Sequence, residues 1–154
     1  MENNLEIVAN DNVNEKLFEQ IHALDNKVFK KMGQSSSEGF LRKLFFSEHK
    51  EAMFCLVDKE NDKLAGHLLR LFISENARDR FLTKGGYSKL QNLGIQKGDN
   101  IMYHHSVVVD EKYRHTNAIK LLEYSFVKWL AEKQQEGKKL RYVFCTVVDR
   151  KSVV

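Results

Sequence analysis

The chain has 154 residues, 42% apolar and 30% charged, with no proline and a formal net charge of +4. That length suits one domain with a sizeable core. No apolar run approaches the ~20 residues of a membrane span, and the N-terminus, MENNLEIVANDN, lacks the basic and apolar regions of a secretory signal. The positive charge suits a small acidic ligand but is not gathered into the stripe that nucleic acid requires. The sequence therefore predicts a single cytoplasmic domain over 1–154, with no nucleic-acid partner and no membrane partner. Cys55 and Cys145 lie in apolar stretches without a second Cys or His at ligand spacing. They read as buried reduced thiols, and no metal site is expected.

In chain order, Leu5 to Val8 reads as a first strand. Asp11-Asn12, with Glu15 a few places on, offers a helix N-cap. The helix that follows places Leu17, Ile21, Leu24 and Val28 on one face, with Phe18 and Phe29 beside them. Gly33 stops it, and Ser35 to Ser37 with Glu38 cap a second helix carrying Phe40, Leu41, Leu44 and Phe45. Two such helices either line the mouth of a cleft or simply pack. AMFCLV (52–57) and LAGHLLRLFI (64–73) are apolar runs joined by the polar turn DKENDK, which predicts a hairpin. Runs apolar on both faces require cover on both sides of the sheet. Gly66 inside the second run marks a bulge or a close backbone approach, and its neighbour His67 is either a base or a satisfied structural residue.

From Ser74 to Asn100 the periodicity weakens: ENARDRFL reads as a turn or two of helix, and the rest reads as a lid-like or binding insertion over 74–100. IMYHHSVVV (101–109) is a further strand. Asn117 to Gln135 is a long helix with Ala118, Ile119, Leu122, Phe126, Trp129 and Leu130 on its stripe, ended by Glu136-Gly137. RYVFCTVV (141–148) then returns as a strand parallel to the previous one. The order is β-α-α-β-β-(insert)-β-α-β, an α/β (α+β) class with a mixed, mainly antiparallel central sheet and helices on both faces.

The stretch VVVDEKYRHTNAIKLL (107–122) carries the strongest chemical signal. A strand that delivers the chain into a helix N-terminus presents unpaired amides at the positive end of the helix dipole, which is a cradle for phosphate. Asn is the best non-glycine resident of the left-handed backbone region, so Asn117 can hold the turn. Ile119 clashes with an incoming phosphate unless it turns into the core.

Strand Val107-Val108-Val109, Asp110, Tyr113-Arg114 and Leu121-Leu122 resemble the acyl-CoA motif of the GNAT superfamily of N-acyltransferases, a strand and an Arg/Gln-x-x-Gly-x-Gly/Ala turn opening a helix; here Asn117 and Ile119 hold the glycine places. The resemblance implies a GNAT-like fold lacking the closing helix and hairpin that usually follow DRKSVV (149–154). It implies acetyl-CoA or another acyl-CoA as co-substrate, and an amine on a small molecule or protein as acceptor. It further implies that the pantetheine arm pairs as a pseudo-strand with the backbone of Val107 and Val109. The diphosphate would take the amides of His115, Thr116, Asn117 and Ala118, with Lys112, Arg114, Lys138 or Lys139 meeting the outer charge. The residues alone also allow core valines and a solvated cationic turn.

Attack of an amine on a thioester needs a base, a polarised carbonyl and a proton for the leaving thiolate. In similar enzymes the base comes from the central strand. Period-2 alternation puts Tyr103 and His105 on one face and His104 and Ser106 on the other, so His105 or His104 is the candidate base. Cys145, in a buried strand, is expected to be inert. The alternative function is a GNAT-fold binding or interaction module without catalysis. For either, the edge strand 141–148 is a candidate homodimer contact.

Overall fold

The computed structural model describes residues 4–30, 38–42, 53–83, 101–137, 140 and 142–145. The expectations placed on Ser35 to Ser37, on Leu44 and Phe45, on most of the 74–100 insertion, on Lys138 and Lys139 and on 149–154 lie outside these residues.

Five strands form one sheet in the order β1 (Leu5–Ala9), β2 (Met53–Asp58), β3 (Lys63–Ile73), β4 (Ile101–Val109) and β5 (Tyr142–Cys145). The first four pair antiparallel with their neighbours, and β4 pairs parallel with β5 across the connecting helix. Every residue of β2 is buried, and so is every residue of β3 after Lys63, as runs apolar on both faces demand.

On one face lies α1 (Glu15–Phe29), which buries Leu17, Phe18, Ile21 and Leu24 against Cys55, Leu69, Leu71, Tyr103 and Val108. Its cap is not Asp11 or Asn12, which sit in a short 3-10 turn, but Asn14, whose side chain accepts from the Leu17 amide at 2.9 Å. Leu41 of the short α2 (Glu38–Arg42) joins the same core. The stretch ENARDRFL forms α3 (Glu75–Thr83), capped by the Ser74 hydroxyl at 3.1 Å from the Ala77 amide.

On the other face lies α4 (Ala118–Gln135). It packs Leu122, Phe126 and Trp129 on Phe54 and Phe72, with ring centroids 5.7–5.9 Å apart in edge-on and tilted pairs. Gly137, at φ +91°, ends it. The expected stripe is corrected at one place: Ile119 is 54% exposed and contributes nothing to the core.

Two irregularities shape the centre of the sheet. At Gly66 the β2–β3 register shifts, and a Cβ there would stand 2.7 Å from the Val108 carbonyl oxygen, so both features expected of this glycine are present. In β4 the register against β3 jumps from Leu69↔Ser106 to Arg70↔His104, leaving His105 as the extra residue of a bulge. The bulge overrides the expected alternation. Ser106 lies opposite Leu69, so it shares the α1 face with Tyr103 and Val108, while His104 opposite Arg70 faces α4.

Candidate functional site

The β4-to-α4 connection is held by its own side chains. Tyr113 is buried, and its hydroxyl donates to Asp58 Oδ2 at 2.6 Å, tying the turn to the end of β2. That hydrogen bond, followed by those from Asn61, draws the Asp58 carboxyl down to about 2, while burial, reinforced by Asp58, pushes the Tyr113 phenol up to about 12. Thr116 Oγ1 donates to the Tyr113 carbonyl at 2.6 Å and accepts from the Ala118 amide at 3.2 Å. The Thr116 amide is itself bonded to the Tyr113 carbonyl.

Two of the four amides expected to face a diphosphate, those of Thr116 and Ala118, are therefore committed inside the turn. The first α4 backbone bond runs from Leu121 to the Asn117 carbonyl, so the first-turn amides of Ile119 and Lys120 have no intrahelical acceptor and are open, and among the described residues the amides of His115 and Asn117 have no acceptor either. Asn117 sits at φ −80° as the helix N-cap, so the left-handed conformation expected of it is not used. No acidic residue lies in the first turn of α4; Lys112, Arg114, His115 and Lys120 are exposed around it. This is a cationic helix N-terminus suited to an anion.

Among the described residues, no strand pairs with the outer edge of the strand leading into this turn past His104. The Asp110 amide donates to the Ala65 carbonyl, which makes Gly66↔Val109 and Leu68↔Val107 the pairs that do not exchange hydrogen bonds. The backbone groups of Val107 and Val109 accordingly point away from β3. The pairing of β4 with β5 among the described residues spans Ile101 to His104 only. On that edge the Val109 carbonyl meets Arg114 Nε at 3.4 Å. The residue numbers expected for a pantetheine contact are thus the ones whose backbone is turned outward.

The two histidines part company at the bulge. His105, partly buried on the α1 face, stands with its ring centroid 6.1 Å from that of Tyr103, and its Nδ1 lies 3.3 Å from Ser106 Oγ. Burial pushes its imidazole down to about 4; Asp25 opposes this and His67 and His104 add to it. His105 is neutral at pH 7. His104 on the α4 face accepts at Nδ1 from Arg70 Nε at 2.7 Å, and burial followed by the Arg70 charge lowers its affinity for a proton.

Three polar residues of these clusters were not singled out in the sequence. Asp25, 3% exposed, receives His67 Nε2 at 2.9 Å. Arg70 binds both carboxylate oxygens of Glu123 at 3.0 Å and lies 4.0 Å above the Phe126 ring centroid. A signal existed for two of them: Asp25 interrupts the apolar stripe of α1 at the place after Leu24, and Arg70 interrupts an apolar strand. His67 is held on one side by Asp25, while its Nδ1 is the one buried side-chain nitrogen or oxygen among the described residues with no partner. Cys55 is buried, with its thiol pushed up to about 12 by burial. Among the described residues no cluster of His, Cys, Asp or Glu could hold a metal ion, and no helix is long and apolar enough to cross a membrane.

Solved structures similar to this chain are GNAT acetyltransferases. A GNAT-family acetyltransferase from Staphylococcus aureus Mu50 matches at a TM-score of 0.61 with 11% identity, over 94% of this chain and 74% of that one. An aminoglycoside acetyltransferase from an uncultured soil metagenomic sample, in complex with trehalose, matches at 0.54 with 17% identity, over 96% and 78%. AAC(6')-Iy, bound to the bisubstrate analogue CoA-S-monomethyl-acetylneamine, matches at 0.55 with 9% identity, over 97% and 83%. No family model and no curated protein matches the chain in sequence. The chain has the GNAT fold.

Proposed function

We propose that this protein is an N-acyltransferase that binds an acyl-CoA along the outer edge of β4 and passes the acyl group to an amine. One observation carries the reading: the backbone of Val107 and Val109 faces outward on a strand that runs straight into the cationic N-terminus of α4. Two amide units of a pantetheine arm would extend the sheet there. The diphosphate would sit at the amides of Ile119 and Lys120, within reach of Lys112 and Arg114. The arm then runs from Val109 toward Ile101, which brings the thioester to the bulge at His105 and to His104.

His105 is the base of choice. It lies on the α1 face with Tyr103 and Ser106 and would take the amine's proton directly or through a water, the burial that keeps it neutral at pH 7 also making it a weaker base than a free imidazole. The amine class is the first to test, with aminoglycosides in the panel because one of the similar structures is an aminoglycoside acetyltransferase by name. The reading takes an acetyl or other acyl group as the cargo and the cytoplasm as the location. β5, last in the sheet order of the described residues, is the contact for a homodimer.

A GNAT-fold binding or interaction module without catalysis is the second reading, favoured by one observation: Ile119 stands exposed on the helix turn whose amides the phosphate needs. Thermal unfolding with and without acetyl-CoA separates the readings. A ligand at about 100 times its Kd adds roughly 2.7 kcal/mol. A shift followed by amine-dependent release of free thiol supports the transferase; a shift without thiol release across the amine panel supports the module. No shift at millimolar acetyl-CoA would remove the transferase reading and leave the module.

A further inference from the structure

The network on the α4 face decides what His104 can do. Arg70 is 9% exposed, clamped by Glu123 at 3.0 Å through both oxygens and laid over the Phe126 ring at 4.0 Å, so its guanidinium has one orientation. Its Nε donates to His104 Nδ1 at 2.7 Å. A guanidinium has only donors to offer, so Nδ1 must present its lone pair, and the single proton of the neutral ring then sits on Nε2. Burial and the Arg70 charge both keep a second proton off the ring, against a smaller opposing effect of Glu123. His104 is thus a fixed hydrogen-bond donor whose only basic nitrogen is already taken. It cannot accept a proton from an amine without breaking the Arg70 contact.

Its place in the sheet gives that donor a use. His104 is the last residue of β4 paired with β5 among the described residues, opposite Cys145, and it immediately precedes the bulge at His105. Past it, no described residue pairs with that edge of β4.

We infer that His104 is the donor that polarises the thioester carbonyl, with Arg70 and Glu123 as positioning residues that fix its tautomer; this rests on the acyl-CoA reading above. As the amine nitrogen bonds to the carbonyl carbon, the π pair of the C=O bond moves to oxygen, where Nε2–H meets the growing charge. The pair returns as the C–S bond breaks and the thiolate departs. His104 begins and ends with its proton, while the amine's proton leaves through His105. The two histidines of the bulge then have opposite roles on opposite faces of one strand: donor on the α4 face, acceptor on the α1 face.

The test is a binding spectroscopy that needs no turnover. With acetyl-CoA carrying a 13C carbonyl, isotope-edited infrared spectroscopy of the bound thioester is expected to show the carbonyl stretch lowered relative to free acetyl-CoA. His104→Phe, measured at saturating acetyl-CoA, should abolish that lowering, and His104→Gln, which keeps an N–H, should restore part of it. Nitrogen-15 NMR of the free protein should show His104 as the Nε2–H tautomer, with Arg70→Met allowing both tautomers. Wild type that binds acetyl-CoA without lowering the stretch, a lowering that survives in His104→Phe, or an Nδ1–H tautomer overturns the inference and leaves the acyl-CoA reading standing. Failure of wild type to bind acetyl-CoA overturns both.

Discussion

Replacing Asp25 by Ala removes the carboxylate bonded to His67, at a site where the two side chains are 4% and 0% exposed. One ring nitrogen of His67 already lacks a partner, so the substitution leaves both nitrogens buried and unpaired. An unsatisfied buried polar group costs about 1–3 kcal/mol, and removing one partner of a buried ion pair about 3–5 kcal/mol. Taking about 3 kcal/mol, and about 2–4 °C per kcal/mol for a chain of this size, the midpoint should fall by about 6–12 °C. Asp25→Asn keeps an oxygen facing Nε2–H and should lose no more than about 1 kcal/mol. The double variant Asp25→Leu, His67→Leu leaves no orphan and should melt well above Asp25→Ala. Calorimetric melts of the three variants decide it. If Asp25→Ala melts within about 2 °C of wild type, or the double variant is the least stable of the three, the pair is not the buried polar contact described here.

Gly66→Ala would drive a methyl group to 2.7 Å from the Val108 carbonyl and 3.2 Å from Val109 Cγ2, so β3 and β4 must part; overpacking of this kind costs about 1–3 kcal/mol, and an unchanged urea midpoint would contradict it. His105 holds its proton in the folded chain only below about pH 4, whereas an unperturbed imidazole does so below about 6.5. The unfolded chain therefore binds a proton that the folded one refuses, and stability is full above pH 6.5 and falls toward pH 4, by up to about 3 kcal/mol. His104 acts in the same direction, Asp25 opposes it at His105, and His105→Gln should flatten the profile; an equal slope in that variant would show that other groups carry it. Ile119→Ala should leave stability within about 0.5 kcal/mol, because the side chain is 54% exposed. It should also tighten acetyl-CoA binding about tenfold by letting one more charged hydrogen bond form; calorimetric titration giving the wild-type Kd would show that Ile119 does not narrow the cradle.

Strand and helix order, the hairpin, the two-sided burial of β2 and β3 and the parallel return to β5 were all legible in the sequence, because each rests on a local period of apolar residues. The strand-to-helix turn was legible as an anion site for the same reason. What was not legible depends on register. The bulge at His105 has no local marker such as glycine, yet it reverses which face Ser106 takes, while His104 and His105 keep the opposite faces that the alternation gave them. Asn117 and Thr116 show a second kind of miss. The turn keeps its shape through the Thr116 hydroxyl and the buried Tyr113–Asp58 contact, so it needs neither a left-handed residue nor a glycine at 117. Asp58 is 55 residues from Tyr113 in sequence, and no periodicity connects them.

The central claim is that an acyl-CoA lies on the outer edge of β4 and ends at the α4 N-terminus. Amide NMR during titration with acetyl-CoA tests it residue by residue. The account predicts saturating shifts at Val107, Val109, Ile119 and Lys120, with the amides of Val108 and Asp110, turned toward β3, moving least. Saturating shifts confined to other residues, or none at millimolar acetyl-CoA, would contradict it.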